Sequence, residues 1–361
     1  MHKMLVIGAG KIGSLIAFLL ANSNKYYVYL ADIHPSNPSS DRFSDLKNIE
    51  YVQLDANDVN GFDQFIQKNP VDAVISSLPY FCNTPIAEAA AKHQLHYFDL
   101  TEDVDTTAAV LEIARNANKA FVPQCGLAPG FISIIANQLM KNFPRLNTVK
   151  MRVGALPINI SNALQYSLTW STDGVINEYG NLCQGVENGK DANILPLEGL
   201  EEIKIDGLTY EAFNTSGGIG SLANSYKGKV KHISYKTIRY PGHCEKMKFL
   251  MYGLKLNSDR ATLKKVLEHA IPKTFQDVVL VYVSVNGEQD GLFIEENYVK
   301  KFYPKKINGF TWSAIQLTTA CSICSVVDIV LGNPEKFKGF IKQEQFTLED
   351  LTSSTFGEYY K

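Results

Sequence analysis

Lys3-Met4-Leu5-Val6-Ile7-Gly8-Ala9-Gly10-Lys11-Ile12-Gly13 begins as an apolar run that reads as a strand and passes through G-x-G-x-x-G directly into a helical pattern. A strand, a glycine loop and a helix in that order place unpaired helix N–H groups where they can hold an anion. Gly8 permits the tight turn, Gly10 lets a pyrophosphate approach the backbone, and Gly13 lets the helix pack on the strand, with Lys11 and Ile12 between them at the helix start. Asp32 follows Gly13 by 19 residues, at the end of the second strand-like run. A carboxylate there can accept the hydroxyls of an adenosine ribose. A plain turn is the competing reading of the glycines, and a solvated loop acid that of Asp32. Ile33 and His34 come next, with no Lys or Arg to neutralise a 2′-phosphate, so the expected cofactor is NAD in preference to NADP.

Outward from this fingerprint, short β-branched or aromatic runs alternate with helical patterns. Strands are expected at 3–7, 26–31, 49–54, 73–76, 96–98 and 120–122, and helices at 12–21, 59–67, 84–92 and 105–116. That rhythm gives a doubly wound parallel sheet, a Rossmann domain. Ligands of such sheets lie outside the carboxyl ends of the strands, which puts Ser77 and Leu78 on the path from pyrophosphate to nicotinamide. Asp55, closing the third strand, has two readings: an acceptor for the adenine amino group, or a surface acid. A Pro-Ser turn is expected at Asn37-Pro38-Ser39-Ser40.

After Pro123 strand-like runs follow one another without regular helices between them, at 148–153, 164–170, 230–237 and 278–285. The fold class expected is therefore α/β: a Rossmann domain over 1–123, completed by helices from 310–361, and an α+β domain with a mixed or antiparallel sheet over 124–309.

Composition narrows the partners. The chain of 361 residues carries 20% charged residues, a net charge of −2 and pI near 6.4, which offers no electrostatic footprint for nucleic acid or anionic lipid. No signal-peptide pattern precedes the first strand, and no continuous run of 18 apolar residues occurs, so a cytoplasmic protein without a membrane span is expected. The six cysteines are scattered, unlike a secreted disulfide scaffold. Cys321 and Cys324 form C-x-x-C inside an apolar stretch from 311 to 331, where core packing is favoured over a redox or metal role. No metal is expected.

Four unusual stretches remain as candidates for the reacting groups: Phe98 to Asp103, Cys125 to Gly130, Thr215 to Gly218, and Lys236-Thr237-Ile238-Arg239-Tyr240-Pro241-Gly242-His243. Arg239 can clamp a carboxylate through two N–H groups, and His243 can exchange protons near neutrality. Duller readings are a structural ion pair for Arg239 and a helix cap for His243. Tyr80 and Glu102 are further candidates for proton transfer. Asp99 is read as holding backbone at a strand end.

The octapeptide Lys236 to His243, with the Gly8 fingerprint, Ser76 to Tyr80, Phe98 to Leu100, Gly126-Leu127-Ala128-Pro129-Gly130 and Val175 to Tyr179, resembles the saccharopine dehydrogenase family over nearly the whole chain, and within it the lysine 6-dehydrogenase branch. The resemblance implies oxidation or reductive formation of an amino-acid C–N bond, a Rossmann domain completed by C-terminal helices, and a sheet domain that often dimerises. The expected activity is NAD-dependent oxidative deamination of lysine at its side-chain amine, with a homodimer as the assembly. His243, Tyr80 and Glu102 would handle protons and Arg239 the carboxylate. In the acidic stretch ending at Asp103, carboxylates would hold the α-ammonium. A saccharopine or carboxynorspermidine-type dehydrogenase is the alternative, and a non-catalytic NAD-binding sensor the alternative outside enzymes. Saccharopine-type members resemble Gly-Leu-Asp-Pro-Gly where this chain has Ala128, which weakens the saccharopine reading.

Overall fold

A computed structural model describes residues 1–34 and 40–360. Most of the turn expected at Asn37 to Ser40 lies outside them. From the N-terminus the elements are β1 (His2–Ile7), α1 (Lys11–Asn22), β2 (Tyr26–Asp32), β3 (Ile49–Gln53), α2 (Val59–Lys68), β4 (Ala73–Ser76), α3 (Asn83–Lys92), β5 (His96–Asp99), α4 (Val104–Ala114) and β6 (Ala120–Val122). The expected strands and helices of this third all form, with ends displaced by one or two residues. Next come α5 (Phe131–Met140), β7 (Arg145–Pro157), α6 (Thr172–Gly180), β8 (Cys183–Glu187), β9 (Lys190–Ile194), β10 (Glu201–Ile205), β11 (Leu208–Asn214), α7 (Leu222–Tyr226), β12 (His232–Arg239), α8 (His243–Lys248), α9 (Arg260–Ala270), β13 (Asp277–Gln289), β14 (Leu292–Phe302), β15 (Lys305–Ile307) and β16 (Phe310–Trp312). The chain ends with α10 (Ala314–Gly332), β17 (Gly339–Phe340) and α11 (Leu348–Ser353).

Two compact units result: Met1–Gly130 with Gln316–Lys361, and Phe131–Ile315. In the first, the sheet order is β17-β6-β5-β4-β1-β2-β3, all parallel, with the order reversing at β1 and β4, where a doubly wound sheet opens its ligand crevice. Leu5, Ile7, Val74, Tyr97 and Phe121 pack the side chains of these strands against Phe62, Ile86 and Val110 of the crossover helices.

The second unit holds a mixed sheet of order β10-β11-β12-β7-β13-β14, in which β12 and β7 pair in parallel and the other neighbours are antiparallel. One face carries Leu156, Tyr210, Ala212, Ile238 and Leu280. Phe213, one residue along β11 and so on the opposite face, packs with Tyr166, Tyr179, Cys244 and Leu263.

Three expectations need correction. The domain boundaries move from 123 to Gly130 and from 310 to Gln316. Cys125 N–H donates to Asp99 O at 2.9 Å and Gly126 bridges Gly130, so the loop after β6 stays with the first sheet, while Phe310–Trp312 forms a hairpin with β15 in the second unit. Residues 164–170 form no strand. Gln165 takes φ of 53°, and the Asn162 side-chain amide donates to Tyr166 O at 2.6 Å, which turns the chain out of extended geometry. Finally, α10 is long and apolar enough to cross a membrane by length and composition, although 83% of its apolar window is buried inside the protein. Cys321 and Cys324 lie on it, in no disulfide and fully buried, in the packing role expected.

The start of α10 depends on one carboxylate. Asp277, fully buried at the head of β13, accepts Ala314 N–H at 2.7 Å and Ile315 N–H at 3.0 Å. These are helix-terminal donors with no intrahelical partner. Asp277→Ala strands both, and should cost about 2 kcal/mol. The readout is the urea midpoint followed by the fluorescence of Trp170 and Trp312, both in the second unit. An unchanged midpoint would show that the cap carries no stability.

Candidate active site

The first unit presents a dinucleotide cradle. Gly8 has φ of 100°, and a Cβ there would come within 2.9 Å of Ser77 O. A Cβ on Gly13 would meet Gly8 O at 1.8 Å, whereas one on Gly10 would meet nothing within 4 Å. Gly10 thus faces open space at the N-cap of α1, no side-chain hydrogen bond caps the helix, and its first-turn N–H groups, Lys11 and Ile12 among them, are of the kind that can hold an anion. Gln316 holds the Lys11 carbonyl at 2.8 Å.

Asp32 is fixed in place. Its Oδ2 accepts Ala9 N–H at 2.8 Å, tying the end of β2 to the glycine loop, and its Oδ1 accepts His34 N–H at 3.1 Å. Each oxygen retains a lone pair for a ribose hydroxyl. Beside it lies a cavity of about 300 Å³ lined by Asp32, Ile33, Leu54, Asp55, Leu78 and Cys82 among others. Asp55 Oδ1 accepts Asn57 N–H at 2.9 Å, so this carboxylate is both a turn-former and a wall of the cavity. Ser77 N–H donates to Ile7 O at 2.8 Å, which holds the β4 turn against β1. These residues fit a nicotinamide dinucleotide: an open glycine loop at a helix N-terminus, an acid placed for the ribose, and an apolar-walled cavity for the adenine.

The acidic stretch after β5 does two jobs. Asp99, fully buried, accepts Tyr97 Oη at 2.8 Å, Thr101 N–H at 2.9 Å and Gln124 N–H at 3.0 Å, which laces β5 to the end of β6. Burial pushes its carboxyl up to about 6 despite these three donors. It holds backbone, as the sequence suggested. Asp103 Oδ1 accepts both Thr106 N–H and Thr106 Oγ1 at 2.8 Å, capping α4, so the residue expected to hold an ammonium spends this oxygen on a helix end. Glu102, half-buried between them, is pushed up to about 7 by burial and then by Asp103 and Asp99. A carboxyl poised there can give or take a proton near neutrality. Tyr80, half-buried, begins the 3₁₀ turn that leads into α3 and packs edge-on to Phe81.

In the second unit, Arg239 and His243 come together as their octapeptide spacing implied, but deep inside. Arg239 is 3% exposed and His243 1%. Arg239 Nε donates to Tyr179 Oη at 2.9 Å, Nη1 donates to its neighbour Ile238 O at 2.8 Å, and the guanidinium lies 4.8 Å from the Tyr166 ring centre. Tyr179 Oη is 3.2 Å from His243 Nε2, and His243 Nδ1 is 2.7 Å from Leu164 O. The carbonyl requires Nδ1 to carry the proton, so Nε2 accepts from Tyr179, whose oxygen accepts from Arg239. Burial and then the Arg239 charge push the imidazole down to about 3. His243 is thus neutral with both nitrogens engaged, an arrangement that suits orientation better than the proton exchange expected of it. Nor does its ring cap α8, although the helix does begin at His243.

No carboxylate of the described residues forms an ion pair with Arg239. Burial opposes its charge, but Tyr179, Tyr166 and Glu178 outweigh that and keep it protonated. The neighbouring cations of the sheet are already committed: Arg152 Nε to Glu201 Oε1 at 2.5 Å, and Lys236 Nζ to Glu201 Oε2 at 2.8 Å. Lys236, its side chain 12% exposed, is thus held by an ion pair within the sheet. Tyr166 and Tyr179 had no role in the sequence reading. Tyr179 closes the stretch Val175 to Tyr179, and Tyr166 sits in the segment mistaken for a strand.

A family model described as the saccharopine dehydrogenase NADP binding domain matches residues 4–124, and one described as the saccharopine dehydrogenase C-terminal domain matches residues 126–358. A saccharopine dehydrogenase [NADP(+), L-glutamate-forming] of Pyricularia oryzae is 24% identical over 250 residues, covering 66% of this chain and 54% of the relative. The enzyme of the same name from Schizosaccharomyces pombe is 26% identical over 165 residues, covering 44% and 36%. This chain thus matches about half the length of the first relative, and less of the second. Apo saccharopine dehydrogenase (L-Glu forming) of Saccharomyces cerevisiae superposes with a TM-score of 0.77 at 16% identity, covering 97% of this chain and 95% of that one, a likeness of fold. With both family models together spanning nearly its whole length, the chain belongs to the saccharopine dehydrogenase family.

Proposed function

We propose that this protein is an NAD-dependent oxidoreductase that acts on a C–N bond of an amino acid, with lysine oxidised at its side-chain amine. The observation that carries the reading is Arg239: a buried guanidinium with no carboxylate of the described residues in ion-pair contact is costly unless an anion completes it, and an amino-acid carboxylate supplies that anion. Bound NAD supplies a hydride acceptor. The protein's own contributions are separate. Arg239 anchors the carboxylate, Tyr179 and His243 hold its planar fork in one orientation, and Glu102, pushed up to about 7, exchanges the proton that an amine must lose before oxidation. Tyr80 is a further candidate for that transfer, through its hydroxyl. His243 acts as a positioning residue through Tyr179.

Saccharopine is the second reading, favoured by the relatives' names. Saccharopine carries three carboxylates, and of the three mostly buried cations of β7 and β12 only Arg239 has no ion-pair partner among the described residues, since Arg152 and Lys236 share Glu201. One clamp suits one α-carboxylate, which ranks lysine first.

Cofactor choice follows from Asp32. Pinned by Ala9 and His34 N–H groups, its carboxylate cannot swing aside for a 2′-phosphate of like charge. NAD should bind more tightly than NADP, and Asp32→Gly should narrow the gap, both measured by fluorescence titration of the reduced cofactors. Tighter NADP binding by the unmodified protein would refute this, in line with the cofactor named for the relatives. For the substrate, incubation with NAD and lysine should yield both NADH and ammonia in a screen that includes ornithine, saccharopine and polyamines. NADH from saccharopine and none from lysine would reverse the two readings, and no NADH from any amino compound would leave the protein a cofactor-binding sensor.

A further inference from the structure

Glu211 on β11 stands directly opposite Arg239 on β12. Antiparallel partners share a face of the sheet, so a carboxylate beside a buried guanidinium would ordinarily close an ion pair. None forms between them. Instead Glu211, 7% exposed, accepts Gly242 N–H on Oε2 at 2.7 Å and Cys244 N–H on Oε1 at 2.6 Å. Gly242 is in the left-handed region at φ of 90°, where the chain reverses from β12 into α8, and both donors belong to the helix start, where N–H groups lack intrahelical partners. His243 lies between the two gripped residues.

We propose that Glu211 is a positioning residue for the Arg239 site: by gripping the N–H groups on either side of His243 it sets the imidazole against Tyr179, and by being so occupied it leaves the guanidinium unneutralised for a substrate carboxylate. The inference rests on the reading of Arg239 as carboxylate receptor. It adds what makes that reading possible, because a carboxylate released from the turn would lie across the strand pair from the guanidinium and neutralise it. Arg239 could then no longer answer to substrate alone.

Glu211→Gln is isosteric, but its amide nitrogen faces a backbone donor and loses one of the two bonds. Glu211→Asp keeps the charge and, one methylene shorter, cannot span both N–H groups. The test labels histidine with ¹⁵N in the full chain, with His243 assigned by the signal missing from His243→Asn. The imidazole is faced by Tyr166, Tyr179, Arg239 and Lys246. In the unmodified protein it should stay in the Nδ1–H form and not titrate between about pH 5 and 8. In Glu211→Gln it should populate both tautomers and titrate, the KM for the amino-acid substrate should rise about tenfold with kcat changed less than about twofold, and NADH affinity should be unchanged. A His243 signal identical to the unmodified protein's in folded Glu211→Gln overturns the proposal, as does a displaced signal with an unaltered KM. If Glu211→Gln does not fold, Glu211→Asp is read by the same signals. Should no amino acid serve as substrate, the Arg239 reading fails on its own, while the imidazole signals still decide whether Glu211 sets His243.

Discussion

A guanidinium taken out of water without a counter-charge loses hydration that aromatic faces and one phenol oxygen only partly replace. Around Arg239 the second unit is arranged to sustain that condition. Tyr166 and Tyr179 offer ring faces, Tyr179 offers its oxygen, His243 turns a neutral acceptor toward that oxygen, Glu178 acts on the charge without forming an ion pair, and two other carboxylates are engaged elsewhere: Glu201 with Arg152 and Lys236, Glu211 with the turn before α8. The cationic site is thus fixed in direction, since Nε and Nη1 are both held. On the proposed reading, the same lack of a partner that costs stability in the free protein becomes affinity for an amino-acid carboxylate.

The first unit applies a similar economy at its cofactor end. The carboxylate of Asp32 accepts from the glycine loop and from the residue two positions on, so one side chain joins β1, β2 and the helix start into a rigid frame before any ribose arrives. Asp99 does the same for β5 and β6. The acids at the carboxyl ends of these strands therefore divide: Asp32, Asp99 and Asp103 fasten backbone, while burial pushes Glu102 up to about 7 with no ion pair to a cation among the described residues.

The parts legible in the sequence were those set by local pattern. The glycine loop has one conformation that satisfies Gly8 and Gly13, and β1 to β6 are short β-branched or aromatic runs, most of them followed by a helix, so they could be read almost to the residue. The second unit was less legible. β14 leaves Leu292, Phe293 and Val299 exposed, so its apolar residues do not mark a buried face, and 164–170 has the apolar alternation of a strand while Asn162 and Gln165 divert its backbone through bonds that only the fold reveals. The octapeptide did identify Arg239 and His243. Their burial was not legible, because it depends on Tyr179, which meets His243 across 64 residues, and on Glu211, whose use as a backbone clamp has no local sequence signature.

The central claim is that Arg239 receives the carboxylate of an amino-acid substrate. The most direct measurement compares, by calorimetry in the presence of NAD, the affinity of the best amino-acid substrate with that of the same amine lacking its α-carboxylate, lysine against cadaverine in the first instance. A charge-assisted two-pronged contact should favour the amino acid by roughly tenfold or more, and Arg239→Lys should remove most of that advantage. Equal affinity of the unmodified protein for the two would contradict the account.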